Sequence, residues 1–192
     1  MPTMMQRTRS EVAPVRRTVV SGALPVIAWA VWVSGPGWAT PAVAVAAVAG
    51  LALFAVDVRT HRLPDALTYP TTALVTGLLA VAGAVTGAWA VVARGLLGAA
   101  VLGGGYLVLH LLHRSGLGLG DVKLAVPLGL VTAWFGWPVL AATAVLPFLL
   151  GGTAALVLLA TRRATRSTAI AFGPFMLGGA AVALTAHRLL AG

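Results

Sequence analysis

Long apolar segments, each ended by charged residues, proline or glycine, dominate this sequence of 192 residues. Hydrophobic residues make up 59% of the chain and charged residues only 9%, and the mean hydropathy is +0.97. This balance excludes an ordinary soluble domain, in which about 25% of the residues are charged. Because an apolar helix needs about 20 residues to cross the hydrocarbon core of a bilayer, the sequence predicts an integral membrane protein.

The apolar segments predict an all-α fold, a polytopic transmembrane bundle of about seven helices. We expect residues 1–17 to form a basic cytoplasmic tail and residues 18–190 to form one transmembrane domain. The tail resembles the start of a signal peptide, but no small-residue cleavage site and soluble domain follow, so we interpret the first apolar run as a retained helix. The predicted helices cover residues 18–34, 40–57, 69–87, 89–112, 121–135, 138–160 and 169–189.

The positive charges predict the orientation of the bundle in the membrane. The formal net charge is +9, but the Lys and Arg residues lie singly or in pairs at the ends of apolar segments, which indicates topology and no nucleic acid partner. With the tail inside, eleven of them fall on the inner side and two, Arg94 and Arg188, on the outer side. The inner set is Arg7, Arg9, Arg16, Arg17, Arg59, Arg62, Arg114, Lys123, Arg162, Arg163 and Arg166.

Three of the four carboxylate side chains, Asp57, Asp65 and Asp121, lie in or beside apolar segments. Moving an ionised carboxylate out of water costs several kcal/mol unless a partner or a shared proton relieves it. An ionisable residue within a membrane segment therefore indicates a functional site. The predicted topology puts Asp57 and Asp121 on the same cytoplasmic side, so we predict that they form a catalytic pair.

The first polar constellation is VDVRTHRLPDALTYP, residues 56–70, which begins beside Asp57 at the end of a predicted helix. The structural alternative for Asp57 is an interfacial carboxylate that reaches water or pairs with Arg59. His61 is four residues farther on and would modulate Asp57 only if the helix continues that far. The commoner role for such a histidine is that of a basic residue facing lipid phosphates or water.

Asp65 has a simpler explanation than Asp57. Pro64 suits the first turn of a new helix, where its missing N–H has no consequence, and a negative charge is favoured beside it at the helix N-terminus. We therefore favour a structural role for Asp65, in capping or in pairing with Arg62, over a direct chemical role.

The second constellation is GLGLGDVKLAVPLG, residues 116–129. Gly118 and Gly120 have no side chain and allow an extended peptide to approach closely, and Asp121 opens the next helix. A glycine-rich turn before a helix also suggests phosphate binding. No strand precedes it, however, and an acidic residue occupies the place where an anion would dock, so we exclude a nucleotide site.

A third segment, AFGPFMLGGA, covers residues 171–180. Together with LPDALTYP after Asp57 and GLGDVKL at residues 118–124, in that order, it resembles the type IV prepilin peptidase family, the bacterial GxGD aspartic intramembrane proteases. The resemblance covers about residues 40–190. The stretch from Phe172 to Phe175 is by this resemblance a candidate wall of the site, and we expect Pro174 to lie within a helix and loosen its hydrogen bonding.

The resemblance implies that Asp57 and Asp121 are the catalytic dyad of an aspartic endopeptidase without metal or other cofactor. Its substrates would be prepilins or pseudopilins, whose basic leader is cut after a Gly and before an apolar stem at the cytoplasmic face of the bacterial cytoplasmic membrane. Whether such substrates serve pilus assembly, secretion or DNA uptake stays open. Residues matched to the motifs in supporting or substrate-binding roles are Asp65, Gly118, Gly120, Lys123, Gly173 and Pro174.

The absence of cysteine excludes a thiolate zinc site and a cysteine nucleophile. Larger family members carry a cysteine-rich segment associated with N-methylation, so the resemblance implies peptidase activity without that segment. His110 and His113 share a helix face, but with no third ligand nearby they do not predict a metal site.

Two alternatives remain open at the level of sequence. The first is a small cation-coupled membrane transporter that uses the two aspartates as an ion site, although both carboxylates fall at predicted helix ends and not in the middle of a span. The second is a catalytically silent scaffold of the same fold.

Overall fold

The computed structural model of this protein describes residues 16–113, 117–162 and 171–191, with side chains from residue 18 onward. In these ranges the chain forms seven α-helices and no strand, which confirms the predicted all-α bundle. The helices are α1 (Arg16–Ser34), α2 (Thr40–Thr60), α3 (Asp65–Thr86), α4 (Trp89–Leu112), α5 (Leu119–Phe135), α6 (Trp137–Ala160) and α7 (Gly173–Ala191).

Several sequence predictions lie outside the described residues. They are the basic tail up to residue 15, the side chains of Arg16 and Arg17, and the proposed start of the last helix at residue 169. The inner-side residues Arg7, Arg9, Arg114, Arg163 and Arg166 also belong to this group.

Five of the described helices, α2, α3, α4, α6 and α7, are long and apolar enough to cross a membrane. The apolar part of α1 and the 17 residues of α5 are shorter. The outer surface of the bundle carries many large apolar side chains, such as Leu24, Leu112 and Leu156, each more than 65% exposed. Because apolar surface on this scale is unfavourable in water, the chain is a multi-pass membrane protein.

Helices α4 and α5 run antiparallel and make the most extensive contact in the bundle. Glycines at their interface let the two backbones approach: a Cβ atom on Gly98 would lie 2.8 Å from the carbonyl oxygen of Gly129, and one on Gly103 would lie 2.9 Å from Val126. Small residues at membrane helix interfaces permit this close packing. The contact brings the last turn of α4 beside the first turn of α5.

Arg94 closes the opposite end of the same helix pair. Its Nε donates to the carbonyl oxygen of Ala133 at 2.6 Å, and its Nη2 donates to that of Trp134 at 2.5 Å. Both carbonyls belong to the last turn of α5, where helix carbonyls have no partner within the helix and a cation is favoured by the helix dipole.

Two helix boundaries near the candidate site differ from the prediction. Helix α3 begins at Asp65, four residues before the predicted start at residue 69. Its first turn is polar and does not extend the apolar run that predicts the helix, but a carboxylate is favourable at a helix N-terminus. Helix α2 continues to Thr60, and His61 then takes a left-handed conformation with φ 50° while its N–H donates to the Asp57 carbonyl at 2.8 Å. The helix therefore ends before His61, whose side chain is exposed.

The N-terminus of helix α7 lies at the FGPF segment. The Phe172 carbonyl accepts hydrogen bonds from the N–H groups of Phe175 and Met176, at 3.0 and 3.2 Å, and the helix starts at Gly173. Pro174 lies within this helix as expected, but the expectation that it loosens the helix is wrong. Pro174 is the second helical residue, and a missing N–H in the first turn removes no helical hydrogen bond.

Candidate active site

Asp57 lies in the last turn of α2 and is 4% exposed, so it is not a carboxylate that reaches out to water. Its Oδ2 faces the first turn of α7, where a Cβ atom on Gly173 would lie 2.5 Å away. The Gly173 backbone amide contacts this carboxylate, but no described residue makes a hydrogen bond of standard geometry to Oδ2. A buried polar atom without such a partner is uncommon and leaves Oδ2 available for a proton or a ligand.

Asp121 is the third residue of α5 and is 8% exposed. The backbone N–H of Gly118 donates to its Oδ2 at 2.9 Å, and the Asp121 N–H donates back to the Gly118 carbonyl at 3.1 Å. The carboxylate thus satisfies one of the unpaired N–H groups at the helix start, and one of its oxygens has a defined direction.

The two aspartates, 64 positions apart in sequence, meet at one end of the bundle. They are close enough for the charge of Asp57 to act on the Asp121 carboxyl. Leu63 packs against glycines that neighbour the two aspartates. A Cβ atom on Gly120 would be 3.1 Å from Leu63 Cβ, and one on Gly173 would be 3.6 Å from Leu63 Cδ1. Leu63 therefore links the surroundings of the two carboxyl groups.

Asp65 and Lys123 form an ion pair that joins α3 to α5. Lys123 Nζ lies 2.6 Å from Asp65 Oδ1, and it stands 5.3 Å from the centre of the Tyr69 ring. The favoured structural role for Asp65 therefore involves Lys123, and the prediction of Arg62 as its partner is wrong. No capping hydrogen bond from a side chain occurs at the start of α3. The pair fixes the α2–α3 loop, which carries Leu63, to the helix of Asp121.

Aromatic side chains line the side of the site towards α6. The Phe172 ring lies 5.2 Å from Phe148, 6.3 Å from Tyr106 and 6.4 Å from Phe175, measured between ring centres. This cluster brings the FGPF segment against α4 and α6, beside Gly173 and Asp57.

The two predicted loop glycines have different surroundings. Gly118 is exposed, and a Cβ atom there would meet Asp121 Oδ2 at an ordinary 3.4 Å. Gly120 packs tightly on Leu63, which would have to move by a few tenths of an ångström to admit a Cβ atom there. An extended peptide therefore has room to approach at Gly118, whereas Gly120 is already covered.

Sequence reasoning missed two α4 residues at the site. Tyr106 is 3% exposed, its hydroxyl has no hydrogen-bond partner among the described residues, and the charge of Asp121 acts on it. His110, one turn farther on, contacts the Leu117 carbonyl oxygen through Nδ1 at 2.6 Å. The available signal is the spacing of Tyr106 and His110. They are four residues apart in a mostly apolar helix, so their side chains share one face.

Comparison with known proteins shows the family of the chain. A model of the type IV leader peptidase family matches residues 44–159. The chain belongs to this family. The matched region contains Asp57, Asp65, Asp121 and Lys123, and the FGPF segment follows it. No solved structure is significantly similar to the chain.

The curated relatives share one printed name, prepilin leader peptidase/N-methyltransferase. The protein from Burkholderia pseudomallei strain 1026b is 35% identical over 176 residues, which cover 86% of this chain and 52% of the relative. The protein from Stutzerimonas stutzeri is 34% identical over 161 residues (80% and 52%), and that from Aeromonas hydrophila is 33% identical over 155 residues (73% and 48%). The chain thus spans about half the length of the curated relatives it matches.

Proposed function

We propose that the chain is a membrane-embedded aspartic endopeptidase that removes the leader peptide of type IV prepilin-like proteins. The observation that carries the proposal is the meeting of Asp57 and Asp121, both buried, at one end of the bundle. Two desolvated carboxyl groups are costly to keep at one place for packing alone. Membership of the leader peptidase family and the names of its relatives support the same reaction.

In the proposed mechanism one carboxyl group of the dyad is protonated and the other is ionised, because two like charges in a low-dielectric site cannot both persist. The ionised group takes a proton from a water molecule as the water attacks the peptide carbonyl, and the protonated group donates to the carbonyl oxygen. The Gly118 N–H orients one oxygen of Asp121, and Oδ2 of Asp57, which accepts no hydrogen bond of standard geometry from the described residues, would hold the shared proton. No acyl intermediate forms on the protein.

The proposed substrate is a prepilin or pseudopilin with a basic leader, a Gly at the cut and an apolar stem. The leader would lie extended beside Gly118, which is exposed next to Asp121, while the apolar stem stays in the bilayer. The relatives' name also includes N-methylation. Our proposal concerns the peptidase reaction alone.

The proposed location is the bacterial cytoplasmic membrane, with the site facing the cytoplasm. This orientation is supported by the excess of Lys and Arg that the sequence assigns to the same side of the membrane as Asp57 and Asp121. A basic leader made in the cytoplasm would then reach the acidic site without crossing the membrane.

The carrier alternative is disfavoured by the position of the two carboxylates. An ion carrier binds its cation near the middle of the membrane, where both sides can be reached alternately. Asp57 lies in the last turn of α2 and Asp121 in the first turn of α5, both at helix ends.

Co-expression of the chain with candidate prepilins, with leader loss followed as a mobility shift, tests the proposal. Asp57→Asn and Asp121→Asn remove the acid–base function with almost no change in size, and each should slow cleavage by roughly 10²- to 10⁴-fold. Asp65→Asn is the matched control, since it makes the same chemical change at a carboxylate held by Lys123. It should remain within about tenfold of wild type because a partly exposed ion pair contributes little.

Full cleavage by either dyad variant would rule out the proposed dyad. Equal losses of cleavage in all three variants would mean that negative charge at this end of the bundle is needed, but that Asp57 and Asp121 are not a catalytic pair. Comparison of the variants at equal amounts of folded protein in the membrane separates both results from loss of expression.

A further inference from the structure

The residue pair just before the helix of Asp121, Leu117 and Gly118, is held by a histidine that no motif of the family resemblance includes. His110 belongs to the last turn of α4, is half-buried, and places Nδ1 2.6 Å from the carbonyl oxygen of Leu117. A carbonyl oxygen only accepts hydrogen bonds, so Nδ1 must carry the proton and donate. Leu117 itself is 9% exposed, and its side chain packs in the core with Tyr106 and Leu124.

The acceptor of this hydrogen bond and the donor to Asp121 belong to the same peptide unit. The Leu117 carbonyl and the Gly118 N–H lie on either side of one peptide bond, which is planar. His110 binds the carbonyl end, and Asp121 Oδ2 accepts from the N–H end at 2.9 Å. A rotation of this plane would therefore break both hydrogen bonds together.

We propose that His110 is a positioning residue for the catalytic carboxyl group of Asp121, acting through the Leu117–Gly118 peptide plane. By fixing the direction of the carbonyl it fixes the direction of the Gly118 N–H, and this N–H orients Oδ2 of Asp121. The two hydrogen bonds also polarise the peptide in the same sense, which strengthens both. The catalytic part of this inference rests on the proposed function, whereas the positioning part does not.

Glycine makes this support necessary. Gly118 is the N-cap residue of α5, in extended conformation with ψ 154°, and it is exposed. Glycine populates more backbone conformations than any other residue, so a peptide plane next to it turns easily unless an outside group holds it. The close α4–α5 packing places the last turn of α4, and with it His110, beside this plane.

The test compares two amides at position 110. In His110→Asn the side-chain amide takes the place of Nδ1–H and can still donate to the Leu117 carbonyl. In His110→Gln the side-chain amide lies farther out, at the place of Nε2, and cannot donate to the Leu117 carbonyl. His113→Asn and His113→Gln are the matched controls, since His113 is exposed and ends the same helix three residues later.

The first readout is hydrogen exchange of the Gly118 amide in the full chain in detergent, followed by mass spectrometry. We expect exchange to rise about tenfold in His110→Gln, the effect of losing about one hydrogen bond. In His110→Asn and in both His113 variants it should stay near that of wild type. Equal exchange in His110→Asn and His110→Gln would overturn the positioning role.

The second readout is the cleavage of a synthetic peptide with a Lys- and Arg-containing leader, a Gly at the cut and an apolar stem. In His110→Gln we expect kcat to fall about ten- to a hundredfold, because small misplacements of a catalytic group have effects of this size, with little change in KM. His110→Asn should restore kcat to within about threefold. Two folded variants with equal kcat would overturn the catalytic part.

The two readouts also separate the failure of this inference from that of the proposed function. If wild type and Asp121→Asn both leave the peptide uncut, the peptidase proposal fails, and amide exchange alone decides the role of His110. If wild type cuts the peptide and Asp121→Asn does not, both readouts apply to His110.

Discussion

The Oδ2 atom of Asp57 lies against the backbone of Gly173, so close that a Cβ atom at that position would be 2.5 Å away. Only glycine leaves room for the carboxylate at the start of α7. We predict that Gly173→Ala displaces Asp57, lowers the free energy of unfolding by about 1–3 kcal/mol, as overpacked sites do, and abolishes cleavage. Thermal unfolding in detergent and the prepilin mobility shift measure the two effects.

Gly178→Ala on the same helix is the control for this prediction, because its Cβ atom would lie 3.9 Å from Leu150, an ordinary contact. It should be neutral or stabilise the helix by up to about 1 kcal/mol. A second comparison isolates the contact itself: in an Asp57→Ala background, Gly173→Ala should lose most of its cost. A cost that stays the same in this background would show that Gly173 is required for another reason.

The Lys123–Asp65 ion pair should contribute modestly to stability. Its side chains are 29% and 38% exposed, and ion pairs this accessible to solvent contribute about 0.2–1 kcal/mol. We expect a double-mutant cycle of Lys123→Met and Asp65→Asn to give a coupling energy in this range, which decreases in high salt. A cycle of Arg62→Gln and Asp65→Asn is the control and should give no coupling above about 0.3 kcal/mol, the usual limit for residues without a shared contact.

The sequence predicted the bundle of seven helices and singled out Asp57 and Asp121 as a candidate pair, for a physical reason. A bilayer requires long apolar segments, so the helices are visible in composition alone, and a buried carboxylate is so unfavourable in such segments that its presence indicates a site. Both signals are local to a short stretch of chain. Pairings between distant stretches have no such signal: Asp65 binds Lys123, 58 positions away, although Arg62 is only three positions away.

The same limit explains why the sequence does not predict the roles of His110 and Tyr106. Their importance comes from the packing of α4 on α5, which depends on where glycines of the two helices come into register. Spacing along one helix shows that His110 and His113 share a side. It does not show that this side of His110 meets a carbonyl of the following loop.

Tyr106 provides a prediction about stability. Its hydroxyl is buried and has no hydrogen-bond partner among the described residues, and an unsatisfied buried polar group costs about 1–3 kcal/mol. We expect Tyr106→Phe to raise the free energy of unfolding by up to about 1 kcal/mol, after allowance for relaxation around the native hydroxyl. Tyr69→Phe is the control, since Tyr69 is 57% exposed. A loss of stability in Tyr106→Phe would show that the hydroxyl binds a partner in solution.

Arg94 provides a prediction at the far end of the bundle, away from the dyad. Its guanidinium bonds two carbonyls at the end of α5, Ala133 and Trp134, and hydrogen bonds with a charged group contribute about 1.5–3 kcal/mol each. Arg94→Met should therefore lower the free energy of unfolding by at least about 2 kcal/mol. Arg94→Lys should lose about half as much, because an ammonium group cannot reproduce the planar fork.

Arg188→Met tests whether this loss comes from the carbonyl contacts or from positive charge on the outer side. The sequence predicts that Arg188 lies on the outer side with Arg94, and its side chain is exposed near the end of α7. Its replacement should therefore change the free energy of unfolding by less than about 0.5 kcal/mol, as at other surface positions. If Arg94→Met and Arg188→Met lower the free energy of unfolding equally, both arginines act through their positive charge on the outer side of the membrane. If only Arg94→Met is costly, the α4–α5 pair depends on this cap, and the cap should then also affect how firmly α4 holds His110 beside the Asp121 loop.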